Sequence, residues 1–159
     1  MKRDPSLIRF SRDHNRGLVV AVRVLREAPS ANEEQLAKLI SDVLDFWQTA
    51  LLPHFRAECE CLLARLARQL AIDDALITRI QSDHLRLNAL RVSLEERPGL
   101  ASSRELLQEM AERLRDHIRW EEAVLFEQTP AVLGADFLRL LGDDLAQRIP
   151  EVPAAPPWA

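Results

Sequence analysis

At 159 residues with a net charge of −4, the chain has the length of one domain able to bury its own core, and its charge argues against a nucleic-acid surface, which is normally basic. It is 47% apolar but only 5% aromatic, with 4 glycines, and the dominance of Leu, Ala, Arg and Glu favours helix over strand. No apolar run approaches the roughly 18–20 residues that cross a bilayer, and the opening MKRDPSLIRFSRDHNRG lacks the continuous apolar centre of a signal peptide; the expectation is a cytoplasmic protein that binds neither membrane nor nucleic acid.

No stretch alternates apolar and polar residues for long, and no Asn-Gly or Asp-Gly pair marks a hairpin. A first helix is predicted from about Phe10 to Glu27, with Leu18, Val22 and Leu25 on the stripe of His14, ended by Pro29. Ser30 and Glu33 read as a capping box opening a second helix towards Leu70. Within it Pro53 removes a backbone donor and crowds the carbonyl of Thr49, so a kink or short break is expected. Asp73 or Asp74 caps a third helix to about Arg97, stopped by Pro98-Gly99. Ser102 and Glu105 form another box for a fourth helix to about Gln128, ended by Pro130. Apolar residues from Val132 to Leu145 predict a shorter fifth helix, and the closing PEVPAAPPWA is a Pro-rich tail. Long amphipathic segments with short joins imply an all-α, up-down-up-down four-helix bundle with a short extra C-terminal helix over residues 1–149, then a tail at 150–159.

The halves look like copies. SRDHNRGLVVAVRVLREAP resembles QSDHLRLNALRVSLEERP, and each is followed by a helix carrying His-x-x-x-Glu: His54 with Glu58, and His117 with Glu121. Residues i and i+4 share a helix face, so each pair can point at one centre. Each of the four histidines, His14, His54, His84 and His117, interrupts an apolar stripe on its own predicted helix. A lone histidine on such a stripe is usually a satisfied core residue, but one per helix together with two inward carboxylates is harder to dismiss. Buried carboxylates are costly unless paired or metal-bound, and no Lys or Arg stands out on the same stripes near Glu58 or Glu121, so a metal cation is the natural partner. Four imidazoles and two carboxylates suit iron, manganese or zinc. Two ions, bridged by Glu58 and Glu121 and each taking two imidazoles, leave room for an oxo or hydroxo bridge and an open position.

The order His14, His54-x-x-x-Glu58, His84, His117-x-x-x-Glu121 resembles the hemerythrin-like (HHE cation-binding) domain, over roughly residues 10–128, with LLPHFRAE and LRDHIRWEEAVLF the nearest parts. The resemblance implies a four-helix bundle around a non-haem diiron centre, two iron ions with manganese or zinc as substitutes, held by His14, His54, Glu58, His84, His117 and Glu121. Ferritin-like diiron bundles repeat Glu-x-x-His instead. Oxygen-carrying hemerythrins have a further histidine one turn after the third, where this chain has Asn88, which argues against oxygen carriage. Some relatives place the last carboxylate five residues after its histidine, here Glu122; the i, i+4 face favours Glu121.

Asp13, Asp83 and Asp116 each precede a histidine. Residue i−1 points about 100° away, so such a side chain can reach only a histidine of a neighbouring helix, and a solvated face is the plainer expectation. Cys59 and Cys61, two apart on a helix, point about 200° apart and are expected to be independent reduced thiols, with Cys61 packed as a small hydrophobe. Trp120 is expected beside His117 as an ordinary core residue. The functions this leaves open are binding or sensing of a small oxidant (oxygen, peroxide) or nitric oxide, iron handling, enzymatic turnover of peroxide or nitric oxide at the same centre, and a non-redox helical interaction module with a structural metal. Any signalling would pass through an unidentified protein partner.

Overall fold

The computed structural model describes residues 3–96 and 99–148. Arg97, Pro98 and the tail at 150–159 lie outside them. The architecture is all-α. Helix α1 (Ile8–Glu27) follows a 3-10 turn, Pro5–Leu7, capped by the Asp4 carboxylate accepting from Ser6 N–H. A second 3-10 turn, Ala28–Ser30, leads into a long arm built from α2 (Glu33–Phe46), a π-helical segment (Trp47–Leu51), α3 (Leu52–Ala57), a second π segment (Glu58–Leu63) and α4 (Ala64–Leu66). Helices α5 (Ala75–Glu95) and α6 (Leu100–Trp120) follow. A third π segment, Glu121–Leu125, continues α6 into α7 (Phe126–Arg148). Among the described residues no helix is long and apolar enough to cross a membrane.

Local chemistry moves several boundaries. Pro29 lies in the 3-10 turn Ala28–Ser30, which takes up Ser30, so the second arm is capped two residues later than Ser30 and Glu33 suggest: Asn32 accepts from Gln35 N–H and the Gln35 side chain accepts from Asn32 N–H. Asp74, not Asp73, caps α5. The Ser102–Glu105 box does not form, because the helix already starts at Leu100 from Gly99 and Ser103 is buried within it. Pro53 does not break its helix. Leu52 N–H reaches back five residues to Trp47 O, and this wider turn relieves the crowding a proline causes in an α-helix. Pro130 likewise sits inside α7, and the break falls at Gly134, whose φ of 74° an L side chain rarely adopts. The turn at Gly134 lets the rest of α7 pack back as the predicted fifth helix.

The first helix also faces inward by a different stripe. Phe10, His14, Gly17, Ala21 and Val24 are buried, whereas Val22 is 55% exposed. Eight residues beyond His14, Val22 has rotated about 80° from it, and the packing falls on the other side.

The apolar interior forms two clusters. One gathers Val20, Val24, Leu36, Leu39, Val43, Phe46, Leu87, Leu90, Leu94, Leu107, Met110 and Leu114. The other gathers Leu7, Phe10, Leu62, Leu66, Ile80, Leu125 and Phe126 with Leu138, Leu141 and Leu145 of α7. Burial of one such leucine is worth about 1.5–3 kcal/mol, so α7 is a structural lid. Arg9 Nη1 donating to Leu145 O (2.7 Å) and an Arg65–Asp144 ion pair fasten it. Along every bundle helix a histidine separates residues of one cluster from residues of the other: His14 between Phe10 and Val20, His54 between Leu51 and Leu62, His84 between Ile80 and Leu87, and His117 between Leu114 and Leu125. The fold thus carries one polar layer between two apolar ones.

Candidate metal centre

That layer is closed to water everywhere but at His84. His14, His54 and His117 are 3%, 5% and 1% exposed, and Glu58 and Glu121 are fully buried. The His84 side chain is the most open, at 15%. Each His-x-x-x-Glu pair meets across one turn, at 3.1 Å for His54 Nε2–Glu58 Oε1 and 3.3 Å for His117 Nε2–Glu121 Oε1. The single histidines complete the layer from across the bundle: His14 Nε2 lies 2.9 Å from Glu121 Oε2, and His84 Nε2 lies 3.2 Å from Glu58 Oε2. Each glutamate therefore gives one oxygen to the His14–His54 side and the other to the His84–His117 side. Two groups of ligand-type atoms result, His14–His54–Glu58–Glu121 and Glu58–His84–His117–Glu121, each with its atoms within 4.8 Å of one another. All six residues singled out from the sequence come together here.

Three outer carboxylates stand behind the imidazoles. Asp13 Oδ2 is 3.5 Å from His54 Nδ1 and Asp83 Oδ2 is 3.4 Å from His117 Nδ1, the cross-helix reach that residue i−1 geometry allows; the solvated-face expectation fails for both. It holds for Asp116, which is exposed and pairs with Arg115. Glu122, 31% exposed, is not in the inner layer: its Oε1 takes a 2.6 Å hydrogen bond from His14 Nδ1. Arg3 in turn donates to Glu122 Oε2 (2.7 Å) and pairs with Glu127. Neither role of Glu122 and Arg3 was anticipated. The repeated Asp-His dipeptide was a signal for Asp13 and Asp83; nothing local flags Arg3, 119 positions away. Trp120 is half-buried with Arg79 over its ring and belongs to the second apolar cluster rather than to the layer. Neither cysteine is in a disulfide; Cys59 is exposed and Cys61 buried.

Aromatic rings wall the layer. Phe55 stacks on His84 with centroids 3.9 Å apart, Phe126 lies parallel to His14 at 5.3 Å, and Phe10 meets His54 edge-on at 5.6 Å. Beside His14, His54 and His117, a void of about 10 Å³ is bounded by Gly17, Phe46, Leu51, Leu114 and Ile118, room for about one water-sized molecule. Without a cation the charges settle unevenly. Burial pushes the Glu58 carboxyl up, but His54 and His84 outweigh it and hold it well below the usual range. Burial, and then the charge of Glu58, drive Glu121 well above its ordinary value. Burial pulls His54 down, yet Glu58 and Asp13 raise it to about 9, while burial keeps His117 below its ordinary value.

A protein-family model described as the hemerythrin HHE cation-binding domain matches residues 6–129, a span that contains every residue of the layer. Comparison with the curated proteins and with the solved structures gave no match.

Proposed function

The chain belongs to the hemerythrin HHE cation-binding family, and on that premise we propose that it is a non-haem diiron protein that binds or senses a small oxidant or nitric oxide, or handles iron. The observation that carries this reading is the division of Glu58 and Glu121 between two imidazole pairs. The donor set passes a further test of fit. Both carboxylates, His84 Nε2 and His117 Nε2 are buried without a hydrogen bond although polar atoms stand near: the atoms converge on common points rather than on one another. His14 Nε2 and His54 Nε2 are 3.1 Å apart.

His14 and His54 would hold one ion and His84 and His117 the other, with Glu58 and Glu121 bridging. Iron held there supplies a redox couple and a coordination position for a diatomic or peroxide ligand. The chain does the rest. Glu122 takes the outer Nδ1–H of His14, so its inner Nε2 presents the lone pair; Asp13 and Asp83 stand 3.5 and 3.4 Å behind His54 and His117 and favour the same orientation by charge without a hydrogen bond, and Phe10, Phe55 and Phe126 exclude water. Asn88 is exposed and its Oδ1 accepts from Arg91 Nε, which supports a role other than oxygen carriage. Full-length protein prepared with iron is expected to hold about two irons per chain and to absorb in the near-ultraviolet and visible. His54→Ala or His117→Ala should lose iron. An iron-supplemented preparation without bound iron overturns the proposal, and turnover of peroxide or nitric oxide by the loaded protein distinguishes an enzyme from a sensor.

A further inference from the structure

The two halves of the layer are related residue by residue, and the pairing breaks at one place. His14 corresponds to His84, His54 to His117, Glu58 to Glu121 and Asp13 to Asp83. The distances correspond as well: 3.1 and 3.3 Å within each His-x-x-x-Glu pair, 2.9 and 3.2 Å across the bundle, 3.5 and 3.4 Å from each aspartate to its histidine. The carboxylate behind His14 is Glu122, the residue after Glu121. The residue after Glu58 is Cys59, exposed and uncharged in its thiol form. Among the described residues no carboxylate lies within ion-pair reach of His84 Nδ1, and the His84 side chain is 15% exposed against 1–4% for the other three.

An outer carboxylate orients an imidazole and makes it a better donor, and its loss typically lowers metal affinity about 10–100-fold. We propose that the two metal positions are unequal: the Glu58–His84–His117–Glu121 position is the weaker, exchangeable one, and Glu122, anchored by Arg3, is the positioning residue that makes the His14–His54 position the tight one. This rests on the reading that both positions hold divalent metal. It makes one ion a fixture and gives the other a route to solvent past His84.

The test uses the full chain stripped of metal and titrated with cobalt(II), followed by visible absorption under non-oxidising conditions. His84→Ala retains the His14–His54 position and His14→Ala retains the other. The first variant is expected to bind its ion about 10–100-fold more tightly than the second. In the wild type Glu122→Gln should weaken the tight step and leave the weak one, while Cys59→Glu, which restores the missing carboxylate, should strengthen the weak step alone. A merely structural role for Glu122 would shift both steps together. Equal affinities in the two histidine variants, or a Glu122→Gln protein whose two steps are unchanged, overturn the inequality while leaving the dinuclear reading intact. Failure of the wild type to bind two ions overturns that reading and this inference with it.

Discussion

The first and second halves of the chain offer the same ligands in the same order, yet they settle differently. Without metal, His54 and His84 hold the Glu58 carboxyl well below its ordinary range, whereas burial and the charge of Glu58 drive Glu121 well above it. The first half leaves room beside its single histidine at Gly17, where the second half has Leu87. The second half has Glu122 and continues into α7, while the first has Cys59 and ends at α4. Sequence repetition therefore dictates where donors go; the neighbours, which do not repeat, dictate what charge and affinity those donors have.

The largest effect separates the layer from everything around it. Glu58→Ala and Glu121→Ala each remove one oxygen from both positions, so either should weaken both ions by more than about 100-fold, beyond the loss from an outer carboxylate; calorimetric metal titration checks this. A variant that lost one ion and kept the other would show that the carboxylate does not bridge.

The next effect sharpens the contrast between the glutamates. In the metal-free chain Glu58→Gln removes the anion facing a buried cation and should destabilise the fold by about 3 kcal/mol, the scale for breaking a buried pair. Glu121, whose carboxyl is driven towards its neutral form by burial and the charge of Glu58, should tolerate Glu121→Gln at a cost of less than about 1 kcal/mol. Denaturant unfolding of both variants at pH 7 gives the comparison, and equal losses would break it.

Gly17→Ala probes the space peculiar to the first half. A Cβ there would stand 2.7 Å from Ile118 Cδ1, so the flexible end of Ile118 must swing. The expected cost is about 1–2 kcal/mol of stability, typical of overpacking, with a smaller void beside His14. Unfolding together with the rate of nitric oxide or azide binding by the loaded protein checks both parts.

A further effect is one of pH. His54 is raised in the folded, metal-free chain from 6.5 to about 9. Its contribution to stability is thus fully present below about 6.5 and is lost as pH rises through about 9. Metal must displace that proton, so affinity should rise with pH up to about 9 and binding at pH 7 should release protons. A pH-indicator titration measures the release; none would contradict the assigned charges.

The ligand layer was legible because an i, i+4 pair is a local property of any helix, and because one histidine per helix on an apolar stripe leaves few other arrangements. What lies around it was less so. Whether Asp13 reaches His54 depends on the spacing of two helices, which no local pattern records. Glu122 was considered as an inner ligand and proves to be an outer one, since one residue's rotation moves it from the layer to its edge. The caps failed where two rival signals stood close together: Asn32 and Gln35 win over Ser30 and Glu33 once Pro29 has taken Ser30 into a turn. Pro53 and Pro130 were read by the rules of the α-helix, but each follows a π segment, where those rules relax.

Those π segments have a consequence best expressed as angular phase. In an unbroken α-helix Leu66 would lie about 120° around the axis from His54, and Leu125 about 80° from His117. A π segment turns only roughly 80° per residue, so Glu58–Leu63 brings Leu66 to within about 30° of His54, and Glu121–Leu125 brings Leu125 to within about 10° of His117. Both leucines are fully buried. The widened turns thus act as phase correctors that let one helix serve the ligand layer and the apolar cluster beyond it. Deleting one residue from either turn would leave the ligands in place and swing the helix beyond them out of register.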